Sequence, residues 1–337
     1  MVVPEMLGLL RMRCRRTSAR NSTMLSGINA PLFQKRYGRD IATSEQFRPH
    51  RYIITSLPAT EAEVADQSRC ASLAEKGKMQ SLETYVINLD GSNDRLQTIS
   101  DRLSAFGIAF ERISAVDGRK FDLATIPDYD AERAQSYMGR TLVGGEIGCY
   151  RSHLKVAEHF LKSNARYALV LEDDALPLCN PVELLEAALP DLEKVDPDWR
   201  LINIGNNKLK IATPLSRYGI GGHDCELVAA HYFPMTTSAI VWSREGARLF
   251  VEEHGKMFAP VDNYFRHWLT RTGHGYSFWP SPVTTTDAAS EILASSGRAR
   301  KTNKRKWFYA FAKQRRLMED KLIAFIHKKR FRSAGSK

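Results

Sequence analysis

TYVINLDGSNDRLQTISDRLSAFGIAFERISA, residues 84–115, sets the architecture of this 337-residue chain. Thr84–Leu89 (TYVINL) is β-branched and apolar, the composition of a buried strand. Asp94–Phe106 switches to a helical period, and Gly107 falls just past the helix end, where a left-handed residue is wanted. Phe110–Ala115 reads as a second strand. Strand, helix and strand in succession form a βαβ unit, whose strands are parallel and buried between layers.

The alternation continues downstream. Gly145–Ser163 predicts a long helix, Tyr167–Leu171 (YALVL) an uninterrupted apolar strand, Pro181–Leu192 a helix and Leu201–Ile204 a short strand. A glycine-rich loop at Gly219–Gly222 precedes a strand at Ser238–Trp242 and helices at Arg244–His254 and Val261–Thr272. This order implies an α/β fold with one doubly wound sheet and helices on both faces. Residues 1–78, interrupted by Pro31, Pro49 and Pro58 and lacking either period, are expected to be a disordered extension. Alternatively, translation begins at Met79. The folded domain is expected to span 79–297, leaving 298–337 as a tail.

Charge is partitioned along the chain. The net +11 comes from the two ends, because 298–337 carries +13 and 1–78 carries +6, so the middle is acidic at −8. An acidic middle without a nucleic-acid fold signature argues against a nucleic-acid-binding protein. Cys14, Cys70, Cys149, Cys179 and Cys225 are scattered, odd in number and without a C-x-x-C pair. That pattern suits neither a disulfide framework nor a structural zinc site, and a reducing cytoplasm is its simplest home. No run reaches the ~20 apolar residues that a membrane-spanning helix needs. Cys149 itself reads as core packing.

The most informative chemistry is Glu172-Asp173-Asp174 at the end of the apolar strand Tyr167–Leu171. Open α/β sheets bind ligands beyond the carboxyl ends of their strands. Three carboxylates there need a cation, and hard oxygen ligands suit Mg²⁺ or Mn²⁺ carrying a diphosphate. The bland alternative is a solvated acidic turn capping the next helix. A receiver-like signalling domain also pairs acidic residues with Mg²⁺. It needs further strands ending in Asp and Lys, and Asp224 lies in a Gly/His loop with no apolar strand before it.

Taken in order, several segments resemble glycosyltransferase family 25, the lipooligosaccharide galactosyltransferase group. They are YVINLDGSNDRL (85–96), AVDGR (115–119), GGEIGCYRSHL (144–154), LVLEDDA (169–175), TTSAIVWSREGARLF (236–250) and PVDNYF (260–265). The resemblance runs from Leu82 to Ser290. It implies a GT-A-like fold, a UDP-hexose donor, a divalent metal, usually Mn²⁺, and inversion at the anomeric carbon. By the same resemblance, Glu172, Asp173 and Asp174 sit at the metal and the donor diphosphate, and Asn88, Asp94 and Arg95 line the uridine side. Ser152 and His153 face the site from their helix. Asp262 is expected to be the general base, with Glu146 and His153 as titratable alternatives. The extension and the Gly219–Gly222 loop have no counterpart in the family pattern, which leaves the acceptor open between glycans; a lipid-linked oligosaccharide of lipopolysaccharide type is the expectation.

In the tail, Trp307, Phe311, Met318, Leu322 and Phe325 are spaced by 4, 7, 4 and 3, along one helical stripe amid basic residues. Such a segment is expected to be loosely helical in water and to fold on an anionic membrane, holding the protein at the inner face of the cytoplasmic membrane. Single-stranded nucleic acid is the rival partner for basic and aromatic residues together.

Overall fold

The computed structural model describes residues 82–206, 208–286 and 309–334. The expectations for 1–78 and for Trp307 lie outside these residues.

Strands β1 (Leu82–Asn88), β2 (Glu111–Ser114) and β3 (Tyr167–Glu172) are parallel neighbours, with helix α1 (Asn93–Ser104) crossing between the first two. The βαβ unit is therefore present. Between β2 and β3 come α2 (Ala131–Met138) and the long α3 (Gly144–Phe160). Short β4 (Ala175–Pro177) and α4 (Pro181–Val195) follow β3, and Asn180 caps α4 by accepting from the Val182 and Glu183 amides.

The second half departs from a parallel sheet. β5 (Leu201–Asn203), β6 (Thr213–Ile220), β7 (His223–Ala229), β8 (Ala239–Ser243) and β9 (Gly275–Trp279) complete eight strands in the order β2-β1-β3-β8-β5-β9-β7-β6. β8 runs antiparallel to both β3 and β5, and β7 is antiparallel to β9 and β6. Gly219–Gly222, expected as a loop, is the end of the β6–β7 hairpin. Gly221 and Gly222 have φ of 57° and 82°, which suits the two-residue turn that follows the twist of the flanking strands. β6 was illegible as a strand because it lies at the sheet edge, and none of its residues is fully buried.

Apolar residues alternate between two cores across the sheet. Tyr85, Ile87, Val170 and Trp242 face α3, α5 (Arg244–Glu253) and α6 (Val261–Thr272). Val86, Leu169, Leu171 and Val241 face α1 and α4. A strand buried on both faces must be apolar throughout, which is why YALVL carries no polar residue.

The tail differs from expectation. Residues 309–334 form one helix, α7, packed against α2 and α6 rather than standing free of the domain. Leu317, Asp320, Ala324, His327 and Phe331 recur at spacings of 3 and 4 and face the domain. Buried Asp320 accepts from Arg271 at 2.7 Å, and the His327 ring lies 3.1 Å from the Arg271 carbonyl oxygen. Ala324 packs with Ile211 and Tyr232. The stripe seen in the sequence is the opposite face: Met318, Leu322 and Phe325 are 70%, 63% and 59% exposed. A composition reading counts apolar residues and so overlooks a docking face built around one ion pair.

Candidate active site

The acidic triplet sits in a bend held from both sides. The Glu172 amide donates to the Ser238 carbonyl at 2.8 Å, and β4 pairs with β10 (Val283–Thr285) directly after the bend. Thr286 donates its amide to the Asp174 carbonyl at 3.2 Å. Three adjacent carboxylates then take three different surroundings. Asp173 is buried and accepts from Asn88 Nδ2 at 2.8 Å and from the Arg95 guanidinium, whose Nε lies at 2.8 Å. Asn88 in turn accepts from Arg112 at 3.0 Å. Asn88 and Arg95 thus brace the bend, and Arg95 also lines the cleft.

Glu172 accepts from Thr237 Oγ1 at 2.6 Å, and its Oε1 lies 3.2 Å from His153 Nε2. Burial alone would raise its pKa, but these bonds and the imidazole charge hold it below the usual range. Asp174 is the opposite case. Burial, and then the Glu172 charge, push its carboxyl up to about 6, and Arg95 at 3.9 Å offsets this only in part. Its Oδ1 is buried with no hydrogen-bond partner among the described residues.

One cavity opens beside this bend, lined by Arg95, the Val116–Arg119 loop, Gly145, Cys149, Ser152, His153 and the triplet. A stripe on α3 positions the loop. Gly144, Gly148 and Ser152 recur every four residues on one helix face, and the loop lies on them. A Cβ on Gly148 would meet the Val116 carbonyl oxygen at 2.5 Å, and one on Gly144 would meet the Gly118 carbonyl oxygen at 2.0 Å. Ser152 Oγ accepts from the Val116 amide and donates to the Gly148 carbonyl, both at 2.8 Å. Ser152 therefore shapes the cavity wall.

A second cavity is lined by Glu146, Cys149, Glu172, Asp174, Thr236, Thr237, Ser238, Asp262 and Thr285. Asp262, in the first turn of α6, accepts from the Asn263 amide at 2.6 Å and its side-chain Nδ2 at 2.9 Å, and burial raises its carboxyl pKa. Glu146 also reaches this cavity, but Arg140 binds both of its oxygens at 2.7 and 2.8 Å, and it accepts from the Val143 amide at the start of α3. Asp94 is exposed in the first turn of α1 and lines neither cavity, where its charge instead favours the helix N-terminus.

Sequence reasoning passed over three elements of the site. Cys149 lines both cavities rather than serving only as core packing. The Val116–Arg119 wall was signalled by the four-residue Gly/Ser spacing on α3. Thr236 has φ 87°, a strained conformation for a β-branched residue, and carries no sequence signal at all.

Residues 81–196 match the family model described as glycosyltransferase family 25 (LPS biosynthesis protein). Procollagen galactosyltransferase 1-B of Xenopus laevis is 28% identical over 222 residues, covering 60% of this chain and 36% of its own. Procollagen galactosyltransferase 2 of Mus musculus is 30% identical over 193 residues, covering 56% and 30%. Inactive glycosyltransferase 25 family member 3 of Homo sapiens is 27% identical, covering 63% and 36%. The chain spans about a third of the length of these curated relatives. A crystal structure of a glycosyltransferase involved in glycosylating the major capsid of PBCV-1 aligns over 65% of this chain and 99% of its own, at 10% identity and a TM-score of 0.32. The resemblance read from the motifs is thus matched by the family model over 81–196, the stretch that holds every lining residue of the first cavity.

Proposed function

We propose that this protein transfers a hexose, galactose in the first instance, from a UDP-sugar to a hydroxyl of a lipid-linked oligosaccharide of lipopolysaccharide type, inverting the anomeric carbon. The observation that carries this reading is the meeting of two cavities along Cys149, Glu172 and Asp174, with the acidic bend on one side and half-buried Asp262 on the other. The first is the donor side, where Arg95 and the Val116–Arg119 loop line the space beside the acidic bend. The second is the acceptor side.

A divalent cation, Mn²⁺ by family resemblance, fits Asp174, whose buried Oδ1 lacks a partner; when bound it would offset the charge of the leaving diphosphate. Asp173 serves through its bonds to Asn88 and Arg95, which hold the bend in shape. Asp262 takes the acceptor hydroxyl proton as that oxygen bonds to the anomeric carbon and the bond to UDP breaks. Burial raises its basicity, and the Asn263 bonds fix its orientation. Glu146, bound through both oxygens to Arg140, organises the start of α3, and His153 positions Glu172.

Relatives named inactive match about as well as those named galactosyltransferases, so turnover itself is the test. UDP release should be assayed with each UDP-hexose, with and without Mn²⁺ and a lipooligosaccharide acceptor. Turnover with no UDP-hexose would sink the proposal.

The exposed apolar face of α7 supports peripheral attachment to an anionic membrane, and with it a location at the inner face of the cytoplasmic membrane. Lys321, Lys328 and Lys329 lie near Met318, Leu322, Phe325 and Ile326, and each cation at such a surface contributes ~1 kcal/mol. Among the described residues, no helix is long and apolar enough to cross a membrane. Leu322→Ser/Phe325→Ser should lower co-sedimentation with phosphatidylglycerol vesicles without changing transfer to a soluble acceptor fragment. Equal sedimentation of both proteins would reject the anchor.

A further inference from the structure

Between the two cavities lies a group of side chains, Cys149, His153 and Glu172, to which glycosyl transfer as proposed gives no bond-making or proton-transfer step. Cys149 and His153 are four residues apart on one face of α3, and Glu172 meets them from the end of β3. One ligating atom from each lies within 4.8 Å of the others. This set is chemically unlike the carboxylate site, because thiolate, imidazole and carboxylate together select a borderline-soft ion of the zinc class.

Two further observations favour a cation here. His153 is 1% exposed, its Nε2 faces Glu172, and its buried Nδ1 has no hydrogen-bond partner among the described residues. Nε2, the nitrogen 3.2 Å from the Glu172 carboxylate, is the one placed to bind an ion seated between ring and carboxylate. Thr237 donates to Glu172 Oε1 at 2.6 Å, the kind of outer-shell bond that orients a ligating carboxylate.

We propose that Cys149, His153 and Glu172 form a three-ligand site for a thiophilic divalent cation of the zinc class, distinct from the carboxylate site at Asp174. Its fourth position opens into the cleft, because Cys149 and Glu172 line both cavities. Binding releases the thiol proton to solvent and leaves a thiolate–metal bond, with no change in oxidation state. A cation seated there also narrows the passage between the two cavities, so zinc inhibits any transfer that needs both. That consequence depends on the proposed activity, whereas binding does not.

The test is Co²⁺ titration of the full-length protein under reducing conditions, in buffer already saturating in Mn²⁺ or Mg²⁺. A thiolate-to-cobalt charge-transfer band and the intense visible bands of four-coordinate Co²⁺ are expected, bleached by one equivalent of Zn²⁺. Cys149→Ser should abolish the charge-transfer band, and His153→Gln should weaken Co²⁺ binding by at least about tenfold. Asp174→Asn should leave the spectrum intact. Circular dichroism and the melting temperature identify any variant that has lost its fold, and Cys149→Ala then replaces Cys149→Ser. No charge-transfer band in the wild-type protein, or a band that survives in a folded Cys149 variant, overturns the proposal. Neither result depends on whether the protein turns over a sugar nucleotide.

Discussion

Gly148→Ala probes the contact that shapes the donor-side cavity. The added Cβ would sit 2.5 Å from the Val116 carbonyl oxygen and 2.7 Å from the Gly118 amide nitrogen, distances that backbone atoms cannot accept. Either α3 or the Val116–Arg119 loop must move. Overpacking of this kind costs about 1–3 kcal/mol. The bond from the Val116 amide to Ser152 stretches with the shift, adding about 1 kcal/mol. Alanine's better helix propensity gives back about 1 kcal/mol, so a net loss of about 1–3 kcal/mol is expected. For a domain of this size each kcal/mol moves Tm by about 2–4 °C, which places the drop at about 2–12 °C. Because the displaced loop forms a cavity wall, UDP affinity should fall by about tenfold, equal to about 1.4 kcal/mol. Differential scanning calorimetry and UDP titration calorimetry measure the two effects. An unchanged Tm together with unchanged UDP affinity would show that the Gly/Ser stripe does not seat the loop.

Three other perturbations separate the roles of the carboxylates and of the tail. Asp174→Asn should remove divalent-cation dependence and lower transfer by several powers of ten with little loss of Tm; full Mn²⁺-dependent turnover would refute the assignment. Asp262→Asn should slow transfer by about 10²- to 10⁴-fold at nearly constant UDP-sugar affinity, and a parallel loss of affinity would move Asp262 to the donor site. His231, buried under α7 beside Phe331 and the Lys328 charge, has its pKa pushed down to about 4 by burial and then by those cations. The unfolded chain then binds the extra proton between about pH 6.5 and 4, so the contribution of neutral His231 is complete above that window and is lost as pH falls through it. A loss on the order of 3 kcal/mol is expected across the window. Hydrogen exchange in 309–334 should accelerate from pH 7 to 5 after correction for intrinsic rates, and pH-independent protection would exclude this linkage.

What the sequence determined by itself is local or periodic. Tyr85–Ile87 within TYVINL and all of YALVL are apolar because their strands are covered on both faces, so they were legible as buried strands before any contact was known. The acidic triplet was legible as charge concentrated at the carboxyl end of a buried strand, because it directly follows YALVL. Tertiary structure decided the direction of β8, the β6–β7 hairpin and the docking of α7, since each depends on a partner far away in the chain. It also assigned the three adjacent carboxylates to different tasks. Asp173 is engaged by Asn88 and Arg95, and Glu172 by Thr237 and His153, whereas Asp174 keeps an unpartnered oxygen. The two neighbouring Asp side chains are chemically identical, so the sequence at those positions cannot encode that difference. It comes from which donors the folded sheet brings within hydrogen-bonding distance, and those donors lie up to 85 residues away.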